Sequence, residues 1–201
     1  LDPGTPYLLW FQPMDVHAPY CPDALDDGAF IASSEVPFAP EGTEAEQKAA
    51  IEAAYEAASA AEADALTSVI RAFYAEQVLG VDRALEAFLA HLEATGRFDR
   101  TVVVLTSDHG ETLNDRDSRR FEHGGDVTPE LVQVPLLIFG RGLAACEVTC
   151  AMENADLFPT LARAMGIAAP DGVEGQALQD GCRSWTRSAW YGPMETILGV
   201  Q

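Results

Sequence analysis

The sequence is short of basic residues, has no apolar run long enough to cross a bilayer, and contains no recognisable activated nucleophile. Each shortage removes a class of function. Against 32 acidic residues stand 12 basic ones, giving a formal net charge of −20 and a pI near 4.3. Such a surface repels phosphate backbones and anionic lipid heads, which argues against nucleic-acid or membrane-surface binding. No hydrophobic stretch approaches a transmembrane span, and the start shows no basic-then-apolar signal segment. Only four cysteines are present, Cys21, Cys146, Cys150 and Cys182, in neither CxxC nor zinc-ribbon spacing. Cys146 and Cys150 are close enough in sequence to meet on a turn, but nothing in the spacing requires a disulfide. There are no internal repeats and no low-complexity linker, so residues 1–201 read as a single domain. Leu1 is followed at once by Asp-Pro-Gly-Thr-Pro and then an apolar strand pattern, which reads as a processed or truncated start.

What is present is an ordinary globular composition, 48% hydrophobic and 22% charged. Tyr7-Leu-Leu-Trp-Phe-Gln12, between Pro6 and Pro13, predicts a buried strand. A Pro-, Asp-, Gly- and Ser-rich loop follows to about residue 42, where Thr43 and Glu46 form the T-x-x-E pattern that opens a helix. The acidic residues between Glu41 and Asp64 read as a solvated helical face. A second helix is predicted to end at Gly96. Within it Val78, Val81, Leu85, Phe88 and Leu92 make one apolar stripe suited to packing on a sheet, with His91 at the boundary. Thr101-Val-Val-Val-Leu-Thr106 and Val134-Pro-Leu-Leu-Ile-Phe139 predict two further buried strands, each followed by glycine within a few residues. Asp156 is placed to cap a helix with Pro159 in its first turn, ended by Gly166, and Ser188–Tyr191 predicts a short tail strand. Strands separated by long helices point to an α/β layered fold, a largely parallel sheet flanked by helices.

Three polar clusters follow the predicted strands: Asp15-Val-His17-Ala-Pro-Tyr20, Ser107-Asp108-His109-Gly110-Glu111, and Glu122-His123-Gly124-Gly125. Ligands of open α/β sheets bind outside the carboxyl ends of strands. Asp108 and His109, delivered together at such an end, are a carboxylate and an imidazole suited to a divalent cation. Each residue also has a plainer reading. Asp108 can cap a turn, and His109 can be a hydrogen-bonded loop residue. His17 can stack on Tyr20 or bond a backbone carbonyl, and His123 can mark a flexible turn. Glu111 reads as a residue that caps or hydrogen-bonds locally, without a chemical role.

Residues 101–113, Thr-Val-Val-Val-Leu-Thr-Ser-Asp-His-Gly-Glu-Thr-Leu, resemble the signature of the sulfatases within the alkaline-phosphatase-like superfamily. Pro6 to Tyr20 resembles the family's strand ending in D-x-H-x-P-Y, and Tyr74 to Arg100 its long helix before the metal strand. His123-Gly124 with Val134-Pro-Leu-Leu-Ile138 resembles its later histidine and strand. Asp156-Leu-Phe-Pro-Thr-Leu161 through Gly172-Val-Glu-Gly175 resembles its closing segment. The resemblance implies an alkaline-phosphatase-like fold, incomplete at the N-terminus, and metal-assisted hydrolysis or transfer of a sulfate or phosphate ester, with sulfate-ester hydrolysis the leading reading. It implies one divalent cation, calcium or manganese by family habit, held in part by Asp108 and His109. His17 and His123 would bind the anionic ester or donate a proton to the leaving oxygen, a task suited to imidazoles. A periplasmic or secreted location is favoured over a cytoplasmic one by the same resemblance.

The sequence departs from the family pattern in one important respect. The C/S-x-P-x-R motif whose Cys or Ser becomes formylglycine is absent, since Cys21-Pro22-Asp23 and Cys182-Arg183-Ser184 both fail it. The expectation is therefore the second part of a catalytic domain, with nucleophile and formylglycine upstream, little activity alone, and exposed apolar surface where the missing N-terminal portion would pair. Phosphoryl-type relatives remain as an alternative: a phosphonate or phosphodiester hydrolase, or a phosphoethanolamine or phosphoglycerol transferase. A metal-binding remnant without catalysis is the non-enzymatic alternative. The loops at 21–42 and 111–130 name no sugar, lipid or aryl substrate.

Overall fold

The order of elements follows from where helix periodicity gives way to short β-branched runs. The computed structural model describes residues 5, 7–20, 29–30, 42–115, 121, 123, 126–140, 142–181, 183–191 and 196–200. Cys21, Cys182, Glu122, Gly124, Gly125 and most of the loop at 21–42 lie outside them. The elements are α1 (Glu44–Ala57), α2 (Ala60–Ala94), β1 (Val102–Thr106), α3 (Pro129–Val132), β2 (Leu136–Gly140), α4 (Leu157–Ala164), β3 (Arg187–Tyr191) and β4 (Thr196–Val200). They fall into two compact units, residues 1–97 with 113–122, and residues 98–112 with 123–201.

In the first unit α1 opens with the expected capping box. The Thr43 hydroxyl accepts from the Glu46 amide, and the Glu46 carboxylate accepts from the Thr43 amide at 2.8 Å. Glu46, Glu52, Glu56, Glu62 and Asp64 are exposed, which bears out the solvated face. Ile51 and Tyr55 of α1 pack on Leu66, Val69, Ile70 and Phe73 of α2, joined by Tyr20. Their spacings of three and four place them on single helix faces. Each fully buried apolar side chain of this kind contributes about 1.5–3 kcal/mol relative to exposure. Leu113 and Phe121 return to the same cluster, and Arg71 donates to the Leu113 carbonyl at 2.8 Å and to Asp115 at 3.2 Å. At its far end α2 stops at Gly96, with φ of +64°, as the Arg97 amide reaches the Leu92 carbonyl at 2.8 Å.

Two expectations in this unit need correction. Residues 7–12 form no strand, and Leu8, Leu9, Trp10 and Phe11 are 65–80% exposed. An apolar run becomes a strand only where a partner accepts its amides, and no ladder joins this segment among the described residues. The stripe along the second half of α2 is buried only at Leu92, whereas Val78 and Phe88 are 43% and 41% exposed.

In the second unit β1 pairs with β2, with Thr106 opposite Leu136 and Val102 opposite Gly140. The pairing is antiparallel, as is that of β3 with β4, so the α/β class holds but the largely parallel sheet does not describe these ladders. The reason lies between β1 and β2: their only described helix is the four-residue α3, too short to carry the crossover that parallel neighbours require. The segment after Thr106 therefore leaves and re-enters the sheet at the same end. Pro135 has no amide to donate, and β2 starts one residue later than it, at Leu136. Burial on both faces is also not realised, since Val102, Leu105 and Leu137 stay 36–51% exposed. β4 was not anticipated from sequence. No described helix is long and apolar enough to cross a membrane.

Asp156 does not cap α4 with its side chain. It is instead the buried centre of a polar hub. Its carboxylate accepts from Arg183 Nη2 at 2.6 Å, from the Gln176 amide at 2.6 Å and from the Glu153 amide at 2.9 Å. Arg183 is paired with Ala151 across an isolated antiparallel bridge, which brings its side chain to this hub. Gly175 belongs to the same closure, because a Cβ there would run into the Ala155 carbonyl. Cys146 is free and exposed while Cys150 is disulfide-bonded, so the Cys146–Cys150 pair does not form.

Burial pushes the Asp156 carboxyl up, but the Arg183 hydrogen bonds, the two amides and the Arg183 charge together hold it below its ordinary value. A carboxyl depressed in the folded state contributes stability that is present above its unfolded pKa and lost as pH falls through the folded one. Asp156→Asn should therefore lower stability near neutrality by about 2 kcal/mol, because Arg183 loses the nearer of two carboxylate partners and keeps Glu153 at 3.9 Å. It should also flatten the fall in melting temperature below about pH 4. Melting curves from pH 2 to 8 decide this, and parallel acid limbs in variant and wild type would contradict it.

Candidate active site

β1 ends at Thr106, and the next four residues are pinned by short hydrogen bonds. The Ser107 hydroxyl donates to the His109 carbonyl at 2.5 Å, and Asp108 Oδ1 accepts from the His109 amide at 3.0 Å. The Gly110 amide then donates to the Leu131 carbonyl at 2.7 Å. A Cβ on Gly110 would collide with the Glu130 carbonyl, so only glycine allows this approach of two backbones. The turn thus ties the end of β1 to α3, just before β2.

Asn154 secures the turn from the other side. Its amide Nδ2 reaches the Ser107 carbonyl at 3.1 Å and the Asp108 carbonyl at 3.3 Å. Asn154 lies between Glu153 and Asp156, two residues of the polar hub, so the hub sets its position along the chain. Nothing in the sequence singled it out.

Within this unit the structure brings Asp108, His109 and His123 together. The rings of His109 and His123 stack, with centroids 4.1 Å apart and planes 30° from parallel. His123 Nδ1 lies 3.2 Å from Glu111 Oε2. His109 Nδ1 lies 2.8 Å from the Gly110 carbonyl. A carbonyl only accepts, so the His109 Nδ1 carries the hydrogen and the neutral ring keeps its lone pair on Nε2. His17 is carried by the first unit, in the turn where its amide bonds the Met14 carbonyl at 3.0 Å. Its Nδ1 faces the Ala18 carbonyl at 2.7 Å, which is the backbone bond weighed as its plainer reading. Tyr20 meets Tyr74 edge-on, with centroids 5.4 Å apart.

The donor set accommodates part of a cation shell. Asp108 Oδ1 and His109 Nε2 are 3.8 Å apart, and both side chains are open to solvent. One ion with donor distances of about 2.0–2.4 Å can reach both. The Gly110 carbonyl on His109 Nδ1 would serve as the outer partner that sets the tautomer, were His109 to bind a cation through Nε2. Among the described residues no third Asp, Glu, His or Cys completes a cluster with them.

This fold is that of the alkaline-phosphatase-like sulfatases and phosphonate hydrolases. Within that class the chain belongs to the sulfatase family, whose model matches residues 2–167. It is 31% identical over 114 residues to an ulvan-active sulfatase of Formosa agariphila, covering 55% of this chain and 22% of the relative. It is 34% identical over 110 residues to arylsulfatase K of Danio rerio, covering 54% of this chain and 20% of the relative. Among solved structures, a phosphonate monoester hydrolase from Silicibacter pomeroyi superposes with a TM-score of 0.59 at 28% identity, covering 70% of this chain and 29% of that one. The matched part thus spans about a fifth of the length of these curated relatives.

Replacing Asn154 by Ala should free the turn without touching its acidic or imidazole side chains. The loss of two neutral hydrogen bonds is worth about 1–2 kcal/mol locally. Hydrogen exchange at the amides of His109 and Gly110 should quicken accordingly. Unchanged exchange there would show that Asn154 does not hold the turn.

Proposed function

We propose that this chain forms part of a metal-assisted sulfate-ester hydrolase. The observation that carries the reading is the Asp108-His109 pair at the end of β1, with His109 fixed through Nδ1 by the Gly110 carbonyl. Membership of the sulfatase family supports sulfate esters as the substrate class. A divalent cation bound there, calcium or manganese, would offset negative charge on the ester oxygens and help activate a nucleophile. Asp108 supplies the charge that attracts such an ion in competition with water, and His109 supplies a neutral lone pair at Nε2. His123, stacked on His109, is placed to contact the anionic group or pass a proton to the leaving oxygen. His17, in the first unit, is assigned anion binding or proton donation from its motif position alone. The nucleophile is assigned to a formylglycine outside this chain, and these residues by themselves should show little turnover.

A periplasmic or secreted setting accompanies this reading. The disulfide at Cys150 supports it, since such bonds persist in oxidising compartments. The partner of the chain is an anionic ester, together with the remainder of the catalytic domain. A phosphoryl-type activity is the second reading, favoured by the likeness to the phosphonate monoester hydrolase.

The test uses the full-length protein with an aryl sulfate, an aryl phosphonate monoester and an aryl phosphodiester. Hydrolysis of the sulfate in preference to the other two supports the first reading, and the reverse order transfers it to the second. Asp108→Ala should abolish metal-dependent turnover, a loss on the order of a thousandfold or more if the ion supplies several kcal/mol. Unchanged activity would overturn the assignment of Asp108 to the metal.

A further inference from the structure

From sequence Glu111 is expected to cap or hydrogen-bond locally; in the structure its carboxylate instead meets His123, twelve residues on. Its side chain is 8% exposed, and Oε2 lies 3.2 Å from His123 Nδ1. The other oxygen, Oε1, is buried and has no hydrogen-bond partner among the described residues. A buried carboxyl with one oxygen unsatisfied costs stability, so it makes a poor structural anchor. An unsatisfied buried oxygen of this kind calls for an explanation other than anchoring.

The contact with His123 supplies that explanation. Stacking on His109, with centroids 4.1 Å apart, sets the plane of the His123 ring. The Glu111 contact favours one orientation of that ring, because a flipped ring would present carbon to the carboxylate. A carboxylate only accepts, so the nitrogen facing it carries the hydrogen, and the neutral ring keeps its lone pair on Nε2. His109 reaches the same tautomer through the Gly110 carbonyl.

We infer that Glu111 is the positioning residue of His123, fixing its ring orientation and its Nδ1–H tautomer so that Nε2 is the nitrogen offered to substrate. The inference deepens the proposed function and rests on its reading of His123 as a site residue. Glu111 itself touches no reacting atom. It acts through the imidazole in the way that outer carboxylates orient catalytic and metal-bound histidines.

The experiment is a long-range proton–nitrogen correlation spectrum of the full-length protein labelled with ¹⁵N-histidine, recorded above neutral pH, with His123 assigned by its loss in His123→Gln. The wild-type ring should carry its hydrogen on Nδ1. Glu111→Gln, whose amide oxygen still accepts, should keep that tautomer, whereas Glu111→Leu should lose it. In ester hydrolysis Glu111→Leu should lower kcat by about tenfold to a hundredfold with little change in KM, the range typical of outer-sphere partners. Glu111→Gln should restore part of it. A wild-type ring with its hydrogen on Nε2, or a tautomer unchanged in Glu111→Leu, overturns the inference whatever the activity. Unchanged turnover in His123→Gln would instead overturn the underlying reading of His123 and leave the tautomer result standing.

Discussion

Gly110 donates its amide to the Leu131 carbonyl at 2.7 Å in a space where the neighbouring Glu130 carbonyl leaves no room for a Cβ. The candidate site depends on this closure. Upstream of it, Asp108 and His109 are turned out at the end of β1. Downstream, Glu111 is drawn into a buried position from which it meets His123. Because β1 and β2 are antiparallel, the segment carrying these residues begins and ends at one edge of the ladder, beside Thr106 and Leu136. A backbone contact between two segments about twenty residues apart thereby gathers a carboxylate and two imidazoles in a short length of chain.

The second support is electrostatic. Asp156, two residues beyond Asn154, is held by Arg183 and by two backbone amides, and Asn154 in turn holds the carbonyls of Ser107 and Asp108. A polar hub thus stands directly behind the turn that carries the candidate ligands. In a chain of formal charge −20, the pairing of buried Asp156 with Arg183 also commits one of few basic side chains to architecture. A divalent cation at Asp108 and His109 would have the further effect of reversing the field locally, as the proposed anionic-ester substrate would need on so acidic a protein.

Much of this was legible in the sequence, for identifiable reasons. The capping box at Thr43 and Glu46, the stop at Gly96 and the strand at 102–106 are local signals, and local structure obeyed them. Asp108, His109 and His123 were recognisable by residue type beside a strand end, and the structure places them in one unit. What sequence did not show was anything decided by distant partners. Tyr7–Gln12 has the composition of a strand, but no ladder takes it up among the described residues. Asp156 has the position of a helix cap, yet Arg183, 27 residues on, claims its carboxylate. Asn154 and Glu111 gain their roles from contacts 46 and 12 residues away, which no periodicity reveals.

The central claim is that Asp108 and His109 form one side of a cation site whose geometry this fold sets in advance. Crystals of the full-length protein soaked in manganese, with anomalous diffraction recorded at the manganese edge, test it most directly. The account predicts a peak within coordination distance of an Asp108 carboxylate oxygen and of His109 Nε2, with His109 Nδ1 still on the Gly110 carbonyl. A well-occupied manganese peak elsewhere, with Asp108 and His109 bonded only to water or protein, would contradict it.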